Sequence, residues 1–371
     1  MATIFKTFLK DDITTTRTKL HEAIPLTGTI VSGTYGGTTI ALGSEGNIKT
    51  YSHGMFQSVY DYPYLSSSAN HVFDITVGIS SASVDALAGS PDPGLWVQKQ
   101  QKINIYNQMA KMLVGHDVTG GIMEFDADGN IVAGGKKIRE AIFINFARLL
   151  TKDEIKKESF TITLGTHQDY DDPHASLTSS SDLNASTSYK VNSPAGEYAV
   201  LSASLWAAPE GRHSAHSPDG DGLVYYQAGI AVLTASVFNN YEMAGDPNFD
   251  GDTGTAEDNI NCLLTGSTID KIANSVRNRI NNIQFNNTTE LNSTIYFCRI
   301  NHNDFNYSSN PTYLKESKIM VKESHSDIPV SYITSVGLYS PSNELLAVAK
   351  LSEPLRNDST TNLTLRVRTD F

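Results

Sequence analysis

The sequence predicts a β-rich α+β fold: antiparallel sheets, two main helices over about residues 95–114 and 267–285, long polar loops and an extended N-terminal segment. Three observations carry this. Short segments such as His71–Val77 and Leu363–Val367 alternate or run apolar at strand length. Apolar spacings of three and four recur in only two longer stretches. Charged residues make up just 18% of the chain, while Gly alone contributes 27 residues and Ser, Thr and Asn are abundant, a composition rich in turn formers.

Taken in order, residues 1–50 open on an apolar patch (Ile4, Phe5, Phe8, Leu9) and continue through L-T-G-T-I-V-S-G-T-Y-G-G-T-T-I. This reads either as an arm ordered by a neighbouring subunit or as a β-hairpin. The Gly-rich run lacks the Lys-Ser/Thr ending of a phosphate loop. Tyr51, Phe56, Tyr60, Tyr62 and Tyr64 crowd one stretch, and two readings stay open for them: a subunit-contact or sugar-stacking platform, and core packing. In the first helix Trp96, Ile103, Ala110 and Leu113 share a face, Gln98, Lys99, Gln101 and Lys102 lie outside it, and Gly115 is the stop. Asp128-Gly129 marks a hairpin turn. Ala141–Leu150 reads as strand from the alternation of Ile142, Ile144 and Phe146. Thr151–Glu154 fits a capping box opening a short helix to Lys157, followed by a strand over Phe160–Leu164.

The stretch Gly165–Pro194 is polar enough to read as loop, as is Pro209–Gly222, with β-segments at Glu197–Leu205 and Leu223–Phe238. In the second helix Ile269, Ile272, Val276, Ile280 and Ile283 fall at helical spacing, with Ser267 or Thr268 as N-cap and Asp270 in the first turn. At the C-terminus a strand from Tyr332, a Ser340–Asn343 turn, a return at Leu345–Leu351 and a third strand over Leu363–Val367 follow one another. The near-continuous apolar run Leu345–Leu351 predicts burial on both faces. Four segments result: 1–90, an N-terminal arm and β-rich segment; 91–165, an α+β body; 166–261, a β-rich insertion with polar loops; and 262–371, a C-terminal α+β module.

The chain has 371 residues, with 28 Lys plus Arg against 40 Asp plus Glu, a net charge of −12. An acidic chain without a basic block is a poor binder of nucleic acid or of an anionic membrane. No apolar run is long enough for a membrane-spanning helix. Cys262 and Cys298 are far apart, form no metal spacing, and fit unpaired thiols of a reducing cytoplasm.

The sharpest local motif runs from Asp246 to Glu257. Asp246, Asn248, Asp250, Asp252 and Glu257, with Gly251 at the bend, satisfy the spacing of a calcium loop: alternating oxygens converge and the last carboxylate closes the site. Against Ca2+ stand Thr253 where an apolar residue is usual and flanks that do not read as paired helices, which leaves a solvated acidic loop as the other reading. His167, Asp169, Asp171, Asp172 and His174 form a second cluster, and His213, His216, Asp219 and Asp221 a third; both carry transition-metal ligand types without the spacing of a closed zinc site. No nucleophile elbow, H-E-x-x-H or dinucleotide fingerprint occurs, so no catalytic residue is assigned.

The segment I-T-S-V-G-L-Y-S-P-S-N-E-L-L-A-V-A (333–349) resembles a segment of structural proteins in phage tails, baseplates and fibres. Tyr296–Ile300 and Asp304–Ser308 resemble a stretch that precedes it in virion proteins of large contractile-tailed phages. The resemblance implies a non-enzymatic protein of the virion tail, baseplate or neck, made in the host cytoplasm. Its partners would be other virion proteins and further copies of itself in a symmetric homo-oligomer. Two other function classes stay open: a calcium-dependent receptor- or glycan-binding tail module built on 246–257, and a tail-associated polysaccharide hydrolase.

Overall fold

The computed structural model describes residues 5–25, 46–83, 98–130, 137–166, 173–203, 221–238, 268–308 and 310–371. The chain is β-rich with antiparallel sheets, as the sequence predicts. It divides into two compact units, Leu20–Thr289 and a smaller one in which Met1–Lys19 joins Glu290–Phe371. Helix Ile269–Arg279 belongs to the larger unit.

Fourteen strands define the frame: β1 (Ile13–Pro25), β2 (Ile48–Thr50), β3 (Gln57–Tyr60), β4 (His71–Ile79), β5 (Glu140–Phe146), β6 (Thr161–Gly165), β7 (Leu177–Ser181), β8 (Gly196–Ala203), β9 (Gly222–Tyr225), β10 (Ile230–Thr234), β11 (Ile280–Ile300), β12 (Val330–Tyr339), β13 (Leu345–Asp358) and β14 (Leu363–Asp370). Helices α1 (Lys99–Leu113) and α2 (Ile269–Arg279) are the two long ones among the described residues.

In the larger unit the antiparallel order is β11–β6–β7–β8–β9–β10–β5–β4–β3–β2. Both faces of its centre are covered. Phe73, Ile75 and Val77 of β4, Ile142, Ile144 and Phe146 of β5, and Ala231 and Leu233 of β10 share one core with Ile269, Ile272, Ala273 and Val276 of α2. The alternate residues Ala141, Phe143, Leu223, Tyr225 and Val232 share the other core with Tyr106, Ala110 and Leu113 of α1. Strands buried on both sides read as continuous apolar runs, which is why β5 and β9–β10 look so apolar in the sequence.

Local signals explain the helix ends. Thr268 accepts a hydrogen bond from the Lys271 amide at 3.4 Å, and the Gln98 side chain accepts from the Ile269 amide at 2.7 Å, so two of the free amides of α2 are satisfied. Gly115, at φ +96°, closes α1 by donating to the Ala110 carbonyl.

Several expectations need correction. The helix expected over 267–285 ends at Arg279, and Ile280 onward is strand, with Ile280 opposite Leu164 and Ile283 opposite Ile162. A register shift between Ile280 and Asn282 inserts an extra residue, so two isoleucines three apart reach the same core and imitate helical spacing. The helix near Thr151 covers Arg148–Thr151 and ends there; Glu154–Ile155 pairs with β11 instead. Lys102 lies inside rather than outside the packed face of α1, and burial pushes its ammonium down to about 7. The polar stretch 165–194 contains β7, a helical turn at Ala185–Ser188 and a strand at Lys190–Ser193. Its Ser/Thr content is strand surface: Thr163 and Ser179 bond across β6 and β7 at 2.8 Å.

In the smaller unit β1 and β14 both pair with β11. β14 is antiparallel to β11 from Ser293 opposite Asp370 to Ile300 opposite Leu363, so the C-terminal strand is docked along its whole length. Strands β12 and β13 form a separate two-stranded hairpin.

Candidate functional site

The β12–β13 hairpin carries the 333–349 segment. Val336 lies opposite Ala349 and Leu338 opposite Ala347, so these four share one face, and Leu338 is buried. On the other face Gly337 lies opposite Val348 and Ser335 opposite Lys350. The burial expected for Leu345–Leu351 is not found: Leu345 is 53% exposed, Leu346 68% and Val348 55%, with Tyr332 at 53%. The physical reason is that the hairpin has only two strands, and no further layer of described residues covers its outer face. A Cβ at Gly337 would meet the Tyr339 ring at 2.9 Å and Leu345 at 3.2 Å, so these two exposed side chains pack over the glycine.

The base of the hairpin is tied to the preceding loop. Buried Asn357 donates to the carbonyls of Asp304 at 2.9 Å and Phe305 at 3.1 Å, and Ser331 Oγ donates to Phe305 O at 2.7 Å. This leaves an open groove of about 700 Å³ bordered by β12, the end of β11, the 305–308 loop and the N-terminal segment. Phe297–Ile300, then Phe305, Tyr307 and Ser308, and Ser331–Pro341 thus line one surface, bringing together the three stretches that carry the resemblance.

The N-terminal segment forms the opposite wall. Phe5 packs edge-on against Tyr339 at 4.9 Å between centroids and Phe8 lies 5.5 Å from Tyr296. Lys6 pairs with Asp304. Arg299 grips Asp12 through two bonds, Nε to Oδ1 at 2.6 Å and a terminal nitrogen to Oδ2 at 2.8 Å, while Asp12 Oδ2 also accepts from the Leu9 amide at 2.8 Å. The Arg299 guanidinium and the Leu9 amide hold the Asp12 carboxyl below its ordinary value. Such a lowered group stabilises the folded segment above the unfolded carboxyl value, and that contribution is lost as pH falls through the folded value. Asp12→Ala is expected to speed tryptic cleavage after Lys6 and Lys10 without altering the circular-dichroism spectrum. Unchanged cleavage in the variant would contradict the clamp.

The predicted metal ligands fare differently. Asp246, Asn248, Asp250, Asp252 and Glu257 lie outside the described residues, as do His167, Asp169, Asp171, Asp172, His213, His216, Asp219, Cys262 and Trp96. His174 sits in a single 3-10 turn, and buried Asp221 accepts from Ser180 Oγ at 2.8 Å, a structural role. Among the described residues no group of three or more His, Cys, Asp or Glu is arranged to hold a metal ion. Cys298 is a free, half-buried thiol whose pKa burial raises. Of the aromatic cluster, Tyr51 and Phe56 pack at 4.6 Å while Tyr62 and Tyr64 are exposed, so the stretch is divided between packing and surface.

Sequence reasoning missed the Asp12–Arg299 and Lys6–Asp304 pairs. Partners nearly 300 positions apart leave no periodic trace. No family model, curated protein or solved structure matches the chain.

Proposed function

We propose that this chain is a non-enzymatic structural component of a phage virion, in the tail, baseplate or neck, working through subunit contacts made by the β12–β13 hairpin. The observation that carries the reading is the outward apolar face of that hairpin: Leu345, Leu346 and Val348 project from the same segment that resembles virion proteins. Clustered exposed apolar side chains on a folded protein mark places where another surface is meant to dock. Aromatic side chains beside them, Tyr332 and Tyr339, are the type enriched where interfaces concentrate their energy.

The chemistry of assembly needs no catalytic residue. It needs a presented surface, supplied by the hairpin on its pinned base. Copies of one such surface in a closed arrangement give a symmetric oligomer, with other virion proteins as the remaining partners. The test is made on purified particles of the phage encoding the chain. Mass spectrometry should find the protein among the particle components, with its hairpin shielded relative to the isolated chain; its absence from particles overturns the proposal.

A further inference from the structure

In the larger unit Lys49, Ser58, Asp74 and Asn145 lie directly opposite one another across β2, β3, β4 and β5, so they share one sheet face. Gly78, where α1 crosses, is on the same face of β4, about 14 Å further along at ~3.4 Å per residue. The polar row therefore lies beyond the helix. It stays partly open, with the His71 and Asp74 side chains 32% and 27% exposed.

A hydrogen-bond network fixes the centre of the row. Ser58 Oγ donates to Asp74 Oδ1 at 2.5 Å, and His71 Nε2 donates to the same oxygen at 2.8 Å. With its own proton given to Asp74, Ser58 Oγ accepts from Tyr51 Oη at 3.2 Å. Asp74 Oδ2 has no donor among the described residues, so the network holds a carboxylate in place with one oxygen open. Aromatic rings surround it. The Tyr51 ring stacks with His53 at 5.2 Å between centroids and meets Phe56 at 4.6 Å. Tyr60 meets His71 at 5.5 Å and the exposed Tyr64 at 6.2 Å.

We propose that this face, centred on Asp74, is a binding site for a neutral saccharide. The negative faces of aromatic rings attract the C–H face of a sugar ring, and Asp74 Oδ2 accepts from its hydroxyls. Lys49 Nζ, 4.9 Å from the Tyr51 ring centre, supplies a donor on the same face. The rings touch one another directly, so they form a surface to stack on and leave no cage for a cation. A net charge of −12 repels an anionic polymer, which favours a neutral sugar. A protein partner would bury the open carboxylate oxygen, and acidic side chains are depleted at the centres of protein interfaces. The site belongs to the larger unit and is independent of the assembly role of the hairpin, which belongs to the smaller one.

The test is calorimetric titration of the full chain with maltohexaose, cellohexaose and chitohexaose, and with a galacturonic acid hexamer as the acidic control. At least one neutral hexamer should bind, and the acidic one should not. Asp74→Asn keeps the shape of the side chain but loses its charge, and should weaken binding about tenfold. Tyr64→Ala removes an exposed ring and should weaken binding several-fold with an unchanged circular-dichroism spectrum. Failure of all three neutral hexamers to bind, a preference for the acidic hexamer, or parental affinity in either variant would overturn the site. Protection of Tyr64 from labelling in particles would overturn it as well, because the face would then be a protein contact.

Discussion

Asp182→Ala is expected to destabilise the larger unit by roughly 3–5 kcal/mol, read as a drop in the urea midpoint. Asp182 is buried between strands, and its carboxylate receives three donors: the Glu158 amide at 2.8 Å, the Phe160 amide at 3.0 Å and the Tyr226 hydroxyl at 2.8 Å. Phe160 and Tyr226 are themselves buried, so truncation strands donors that water reaches poorly. Glu158 sits at φ +62°, a strained turn that the carboxylate holds in place. Burial raises the Asp182 carboxyl to about 6, with the hydrogen bonds opposing the shift. The sign follows from linkage. A carboxyl raised above its unfolded value of 3.8 favours the folded state fully below that value, and the contribution is lost as pH rises toward and through about 6. Stability should therefore decline across this window in the parent, and Asp182→Asn, which does not titrate, should flatten that slope. An identical pH profile in the Asn variant would contradict the assignment.

Gly78→Ala should cost roughly 3 kcal/mol, at the upper end of what overpacking a core usually costs. A Cβ at this position would lie 2.8 Å from the Tyr106 amide nitrogen and 3.0 Å from the Lys102 carbonyl, backbone atoms of α1 that cannot swing aside. The helix must lift as a body. Opposite Gly78 in the sheet is Ala141, so α1 crosses β4 and β5 where both strands are small. Lifting α1 disturbs Tyr106, whose hydroxyl donates to Ile138 O at 2.6 Å and accepts from the Phe125 amide at 3.2 Å, and whose ring meets Phe125 edge-on at 5.4 Å. A fall in the near-ultraviolet circular-dichroism signal should accompany the lower midpoint. A loss below ~1 kcal/mol would show that the helix yields more easily than the packing implies.

How much of this was legible in the sequence depends on the kind of signal. The strand at His71–Val77, the N-cap at Thr268 and the stop at Gly115 are local features, written within a few residues and recovered as such. The second helix was overextended because a bulged strand placed Ile280 and Ile283 on one side, a spacing that a straight strand cannot produce. The Ser/Thr-rich β7 hid as a loop because its polar residues face partners across the sheet.

The run Leu345–Leu351 was read as buried on both faces, and the structure overturns that reading. Its sequence does not say whether its own chain or another supplies the cover, and in the isolated chain it stands exposed. The groove was legible in pieces, since Tyr296–Ile300, Asp304–Ser308 and 333–349 each stood out, but their convergence belongs to the tertiary fold. The Asp12–Arg299 clamp left no trace at all, because a bidentate pair between distant positions has no spacing rule.

The central claim is that the β12–β13 hairpin is an assembly surface. Hydroxyl-radical footprinting of the isolated chain and of intact purified particles tests it most directly, because Tyr332, Leu345, Leu346 and Val348 are all open to labelling in the isolated chain. The account predicts strong protection of these four in particles, while Val118, exposed in the larger unit, serves as a reference within the same chain. Equal labelling of the hairpin residues in the isolated chain and in particles would contradict it.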